Sequence, residues 1–244
     1  MQEKIQKVLA RLGLASRREV ERWIEQGRIQ LNGKTAQLGD RMDMKSVLTL
    51  DDRPVTVAPA QAPRRVLLYH KPEGEICTRH DPENRPSVFS RLPTLIGQRW
   101  IMVGRLDINT LGLLLFTNDG ELAHRLSHPS YEIEREYAVR ILGSVDKVML
   151  RRLKEGVHLE DGLAAFTQIE AQEGQGANRW YHVVLKEGRN REVRRLWESQ
   201  GVVVSRLIRI RFASIGLPNH LKRGQWLELS ASEVNQLAKQ VKLA

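Results

Sequence analysis

Apolar residues recur at helical spacing from the start of the chain. Ile5, Val8, Leu9 and Leu12 predict a helix over Lys4–Leu12, which Gly13 ends. Ser16 and Glu19 have the spacing of a capping box for a second helix, with Val20, Trp23 and Ile24 as its apolar stripe and Gly27 as its stop. Short alternating segments then predict strands at Arg28–Leu31 and Lys34–Ala36. Asn32-Gly33 joins them, a pair suited to a two-residue hairpin turn. A further strand, Val47–Leu50, runs into an Asp51-Asp52 turn. Residues 54–64 hold three prolines among small side chains and read as a semi-rigid linker.

Beyond that linker, strands are predicted at Val66–His70, Trp100–Val103, Leu113–Thr117, Tyr137–Ile141, Ala165–Ala171, Arg179–Leu185 and Leu207–Phe212. Helices at Glu121–Ser127, Val145–Glu155, Arg191–Gln200 and Ala231–Val241 fall irregularly between them. Asn, Asp and Gly turns separate the strands, and neither a repeated βαβ unit nor a phosphate-loop glycine pattern is present. The expected class is α+β with a mixed, mostly antiparallel sheet. The expected division is a small module over residues 1–53, a linker over 54–64 and a larger domain over 65–244.

Charge narrows the partner. The 244 residues carry 39 Lys and Arg against 29 Asp and Glu, a net charge of +10, which suits a polyanion and above all nucleic acid. Residues 1–50 contribute ten basic and six acidic side chains, and Lys186–Arg211 eight basic and three acidic. These two stretches therefore hold +4 and +5, nine of the ten excess charges. The longest apolar run, Leu111–Phe116, is too short for a membrane span and is broken by Gly112, and the N-terminus lacks a secretory cleavage site. A cytoplasmic protein without membrane association is expected. Cys77 is the single cysteine, which excludes an intrachain disulfide and a cysteine-cluster metal site.

Few segments offer chemistry. Glu121, His124 and His128 share helical spacing, but Pro129 follows at once, so a surface helix is expected rather than a metal site. There is no GxSxG, and Cys77 lies in a loop without a local base. Trp180 and Trp197 read as packing residues. Gly104-Arg105-Leu106-Asp107 is different, because it places a carboxylate beside an arginine in a loop between two strands. From the residues alone, Asp107 is either an activated carboxylate or a structural cap of the turn.

The run Gly104-Arg105-Leu106-Asp107, followed by Thr110-Leu111-Gly112-Leu113-Leu114-Leu115-Phe116-Thr117-Asn118-Asp119-Gly120, resembles the first motif of the RsuA/RluB family of ribosomal RNA pseudouridine synthases. Glu134-Arg135-Glu136-Tyr137-Ala138-Val139 resembles the family's second motif, with Arg135 where lysine is more frequent. Glu187-Gly188-Arg189-Asn190-Arg191-Glu192-Val193-Arg194-Arg195-Leu196 resembles the third. Residues 1–50 resemble the ribosomal-protein-S-four-like RNA-binding module that the family carries at its N-terminus. Tyr69-His70-Lys71-Pro72-Glu73-Gly74-Glu75 and Leu196-Trp197-Glu198 look closest to the large-subunit branch.

The resemblance implies that Asp107 is the catalytic carboxylate, acting covalently or by removing a sugar proton. It implies that Tyr137 packs against the target uracil and that Arg194 pairs with the aspartate. It implies too that Arg105 stands at the family position that can fill the gap left by a flipped-out uridine. Lys7, Arg17, Arg18, Arg189, Arg191 and Arg195 are the candidates for RNA phosphate contact. The reaction exchanges one bond for another within a nucleotide, so no cofactor and no metal are expected. The implied partner is ribosomal RNA, 23S preferred, free or within a pre-ribosomal particle, and a monomer is expected. The same chemistry on small-subunit rRNA, or a non-catalytic RNA-binding ribosome-assembly factor, are the alternatives. A glycosidase would need a second, suitably separated carboxylate, and none is evident.

Overall fold

The computed structural model describes residues 2–57, 63–172 and 178–243. They form two compact units: Met1–Arg64 with Pro93–Ile101 and Asn118–Gly120, and Arg65–Leu92 with Met102–Thr117 and Glu121–Ala244.

The first unit contains β1 (Glu3–Lys4), α1 (Ile5–Arg11), α2 (Arg17–Glu25), β2 (Ile29–Leu31), β3 (Lys34–Thr35), β4 (Arg41–Met42), β5 (Leu48–Leu50) and β6 (Arg53–Pro54). Ile5, Val8 and Leu9 of α1 meet Val20 and Ile24 of α2 over Ile29 and Leu48 of the sheet, so the two helical stripes close one core. The Ser16 hydroxyl accepts the Glu19 N–H at 3.1 Å, while the Glu19 carboxylate pairs with Arg22. Asn32 and Gly33 both take positive φ, at 51° and 78°, as the hairpin turn requires.

Two features depart from expectation. β1 pairs with β4, and each is only two residues long, too short for periodicity to reveal. β6 occupies the start of the expected linker and pairs with β5. The Val55 N–H donates to the Leu48 carbonyl at 2.9 Å, and Val55 and Val57 pack on the core. Residues 54–57 therefore belong to the module, while linker residues 58–62 lie outside the described residues.

The following elements are β7 (Val66–Lys71), β8 (Ile101–Val103), β9 (Leu111–Thr117), α3 (Gly120–Ser127), β10 (Arg135–Leu142), α4 (Lys147–Glu155), β11 (Val157–Leu159), β12 (Gly162–Ala164) and β13 (Gln168–Ala171). They continue as β14 (Asn178–Leu185), α5 (Glu192–Glu198), β15 (Val203–Phe212), β16 (Ile215–Gly216), β17 (Trp226–Glu228) and α6 (Ala231–Gln240). The main sheet runs β13-β14-β10-β15-β9-β7-β17, with β16 on β15 and β8 on β9. Its specified pairings are antiparallel except β15 with β9, where Ile208 faces Leu111 and Arg209 faces Gly112. Every residue of β9 is buried. Gly112 has a φ of 106°, and a Cβ there would stand 2.2 Å from the Arg209 carbonyl oxygen, so only glycine fits.

The β11–β12 hairpin and the edge strand β17 escape the sequence pattern, being three residues each. Helix α5 starts at Glu192 because Arg191 adopts a left-handed conformation, φ 48°, and redirects the chain. Val193, Leu196 and Trp197 of α5 are buried, with the Trp197 ring 5.2 Å from that of Tyr181. Among the described residues no helix is long and apolar enough to cross a membrane.

Candidate active site

Residues 104–110 connect β8 to β9 and enter a cavity of about 320 Å³. Arg105, Leu106 and Asp107 come from this loop, Arg135 and Tyr137 from β10, and Leu207 and Arg209 from β15. The opposing wall is the segment from Gly188 to Val193 that leads into α5. Tyr137 lies beside a bulge in the β10–β15 pairing and is 7% exposed, so its ring forms wall rather than surface. Arg105 is exposed.

The loop is held by its own backbone and by two buried cations. The Thr110 N–H donates to the Asp107 carbonyl at 3.0 Å, closing a turn, and the Gly74 N–H donates to the Ile108 carbonyl at 3.0 Å. Lys71, fully buried at the end of β7, donates from Nζ to the carbonyls of Thr110 (3.0 Å), Ile108 (3.3 Å) and Pro72 (3.0 Å). Arg194 of α5 donates to the Asn109 carbonyl at 3.0 Å and to the Val204 carbonyl at 2.9 Å. Three consecutive carbonyls after Asp107 thus each receive a cationic donor, and such charge-assisted bonds are stronger than neutral ones. The Leu106 N–H points at the Cys77 sulfur at 3.5 Å.

Burial pushes the Lys71 ammonium below its usual range, with Cys77, Glu75 and Asp107 among the groups acting against that shift. Arg194 is likewise lowered, first by burial and then by Arg191, while Asp107 acts in the opposite direction. Burial raises the Cys77 thiol. Both cations therefore feel the Asp107 carboxylate, though neither makes an ion pair with it among the described residues. The expected contact between Arg194 and Asp107 is corrected accordingly: the guanidinium reaches the main chain at Asn109, because its other donor is drawn to Val204 at the start of β15.

The cavity brings together Arg105, Asp107, Tyr137, Arg189 and Arg191; Arg194 stands behind the loop and Arg195 outside the lining. The arginines of the third motif are not equally available to a ligand. Arg195 grips Asp161 through two bonds of 2.9 and 2.7 Å. Arg189 donates to Glu187 at 2.8 Å and to the Leu163 carbonyl at 2.9 Å. Arg191 meets Glu198 only at 3.5 Å and keeps 45% of its side chain exposed. Much of the local excess of +5 is thus committed internally, since Arg211 pairs with Glu136 and Glu134, and Arg209 is buried with its Nε on the Leu113 carbonyl. In the first unit Arg17 and Arg18 are exposed, while Lys7 pairs with Glu3 at 3.0 Å and keeps 49% of its side chain exposed. On α3, Arg125 holds the Glu121 carboxylate at 2.8 Å.

Lys71 and Arg209 are structural members of the site that sequence reasoning did not single out, and Arg135, noted within the second motif, was given no role there. Arg135 donates to the carbonyls of Ile133 and Lys186, and burial lowers its proton affinity. Both Arg135 and Arg209 lie over the Phe212 ring, at 5.3 and 5.1 Å. The available signal was weak: Lys71 ends and Arg135 begins a largely apolar strand, whereas Arg209 is one of three arginines in β15, and a buried cation demands a built partner set.

Residues 65–199 match the family model described as RNA pseudouridylate synthase, and residues 3–47 match the S4 domain. The ribosomal large subunit pseudouridine synthase B of Escherichia coli (strain K12) is 59% identical over 246 residues, covering 100% of this chain and 84% of that protein. Its namesake from Pasteurella multocida (strain Pm70) is 59% identical over 244 residues, covering 99% of this chain and 71% of that one. A crystal structure of a pseudouridylate synthase shares the fold, with a TM-score of 0.66 at 23% identity, covering 96% of this chain and 99% of that one.

Proposed function

The chain belongs to the RNA pseudouridylate synthase family, and on that footing we propose that it isomerises one uridine of the large-subunit 23S rRNA, with Asp107 as the catalytic carboxylate. The observation that carries this reading is the position of Asp107: it enters a cavity walled by Tyr137, on a loop whose next three carbonyls are held by Lys71 and Arg194. A carboxylate on so constrained a main chain meets a bound nucleotide without first being ordered, and that lowers the barrier to reaction.

The isomerisation breaks the bond from ribose C1′ to uracil N1 and makes one from C1′ to C5. C5 loses a proton and N1 gains one, so electrons and atoms balance within the nucleotide. Asp107 can act by attack on the sugar or by removing its 2′ proton, and both routes require an oriented carboxylate. The detached base must turn before it rejoins. Leu106, Leu185, Val193 and Leu207 line the cavity with smooth apolar surface that opposes rotation little, and the Tyr137 ring offers a stacking face. The target must leave the RNA stack to arrive there, and the exposure of Arg105 supports a role in filling the space it vacates.

The S4 domain supplies a second grip, with exposed Arg17 and Arg18 and the half-exposed Lys7 suited to phosphates of a folded RNA. Choice of the large-subunit RNA is supported by the relatives' names at 59% identity over the whole chain. The test is to incubate the purified protein with 23S and 16S rRNA transcripts and map pseudouridine by chemical adduct formation and mass spectrometry. One new pseudouridine in 23S rRNA is expected. Modification confined to 16S rRNA overturns the target, and binding without conversion overturns the activity.

A further inference from the structure

One buried carboxyl in the cavity wall has no part in the chemistry above. Glu192 opens α5, lines the cavity and is 3% exposed. Its Oε2 accepts the Arg189 N–H at 3.0 Å, whereas its Oε1 is buried and has no hydrogen-bond partner among the described residues. The Glu187 carboxyl receives Arg189 Nε at 2.8 Å, so Arg189 gathers the two carboxyls, and contact with Glu187 is among the causes that raise the Glu192 carboxyl.

Two carboxylates in such contact repel unless a proton lies between them. The surrounding cations leave Glu192 Oε1 without a donor among the described residues. Arg189 spends its guanidinium on Glu187, the Asp161 side chain at 3.6 Å, and the carbonyls of Asp161 and Leu163. Arg135, facing the pair from β10, donates to the carbonyls of Ile133 and Lys186. Arg195, one residue short of a turn further along α5, is held by Asp161.

We propose that Glu192 is a positioning residue of this active site: it shares one proton with Glu187, and that proton holds the 187–191 segment in place as the cavity wall. The inference rests on the reading of the cavity as the site of uridine isomerisation. With the proton in place, the main chain at Arg189 is tied to the start of α5, and Arg189 and Arg191 keep their positions in the lining. Without it, two facing negative charges push the segment away from the helix.

Burial, followed by the contact with Glu187, raises the Glu192 carboxyl to about 7. Its ordinary value is 4.5, so from there to about 7 the folded chain keeps a proton that the unfolded chain releases. The pair's contribution to stability therefore falls with rising pH through that window and stays lost above it.

Glu192→Gln separates this from a merely structural role. A Gln carbonyl accepts the Arg189 N–H while its amide donates to Glu187, reproducing the protonated pair at every pH. Single-turnover conversion of a 23S rRNA fragment and thermal midpoints are measured from about pH 5.5 to 8.5 for wild type and variant. Relative to its own value near pH 6, wild-type conversion is expected to fall several-fold by pH 8.5, while the Gln variant holds its rate. The variant's thermal midpoint should rise above that of wild type at pH 8 by more than at pH 6. Superimposable pH profiles together with a pH-independent difference in midpoint overturn the proposal. Glu187→Gln, which donates from the other side, gives the same comparison if the first variant does not fold. A wild-type protein that converts no uridine at any pH counts against the activity, and the midpoints still test the shared proton.

Discussion

Arg194 donates a hydrogen bond of 3.0 Å to the carbonyl of Asn109, two residues past Asp107. With its second bond to Val204, the guanidinium ties the Asp107 loop to β15 and α5 at once. Its planar fork is what allows both bonds, and a lysine ammonium lacks that geometry. Arg194→Met should lower the single-turnover rate by about 10²-fold, the scale expected when a reacting group is misplaced by about 1 Å. RNA affinity should change little, because Arg194 is buried behind the loop. Arg194→Lys should recover part of the rate. Rapid-quench kinetics with a filter-binding Kd for each variant check this, and a loss confined to affinity would mean that Arg194 contacts RNA instead.

Asp107→Asn keeps the size of the side chain and removes both its charge and its capacity as nucleophile or base. Pseudouridine formation should drop by a factor on the order of 10³ or more. Binding of 23S rRNA and the melting temperature should stay close to wild type, since no side-chain bond of Asp107 secures the fold among the described residues. Pseudouridine quantified by mass spectrometry against time decides it, and activity within tenfold of wild type would remove Asp107 from its role.

Among the described residues Lys71 is buried without a carboxylate in contact and is satisfied by three carbonyls. Lys71→Met takes this donor from the Pro72 and Thr110 carbonyls, while the Ile108 carbonyl keeps the Gly74 N–H at 3.0 Å, and it removes the cost of a buried charge. Unpaired buried carbonyls cost about 1–3 kcal/mol each, so a net destabilisation on the order of 2–4 kcal/mol is expected in urea unfolding. The turnover number should fall along with it, because Ile108 and Thr110 follow the catalytic position directly. A variant as stable as wild type with an unchanged rate would show that the loop is ordered without this clamp.

How much of this could be read from the chain depends on the range of the interactions concerned. The stripe Ile5, Val8, Leu9 and the turn Asn32-Gly33 were legible because spacing and φ preference act within a few residues. The ordered motifs around Asp107, Tyr137 and Arg194 were legible as a resemblance. Lys71 was not, since its partners Ile108 and Thr110 stand 37 and 39 positions away. Nor was the atom that Arg194 reaches, because sequence order does not say whether a guanidinium meets a side chain or the main chain beside it. Arg195 read as a free cation until the fold brought Asp161, 34 positions earlier, against it. Long-range pairing of charges is decided by topology, and an inventory of Lys and Arg overstates what is left for a ligand.

That distinction has a measurable consequence for RNA binding. Each phosphate neutralised by a free cation releases counterions and steepens the dependence of affinity on salt by roughly 0.7–0.9 in log–log slope. A cation already engaged by a carboxylate contributes little, because breaking its internal pair offsets the new contact. Arg17 and Arg18 are exposed, and Arg191 is only loosely engaged by Glu198 at 3.5 Å. Arg195 is closed on Asp161. Arg17→Ala combined with Arg18→Ala should therefore flatten the slope by about one to two units, and Arg191→Ala by somewhat less. Arg195→Ala should leave the slope unchanged and cost at most about 1 kcal/mol of stability, as partly exposed ion pairs do. Fluorescence anisotropy with a labelled 23S rRNA fragment across a salt series measures each slope. If Arg195→Ala flattened it as much as the Arg17 and Arg18 pair of substitutions, the Asp161 contact would have to open when RNA binds.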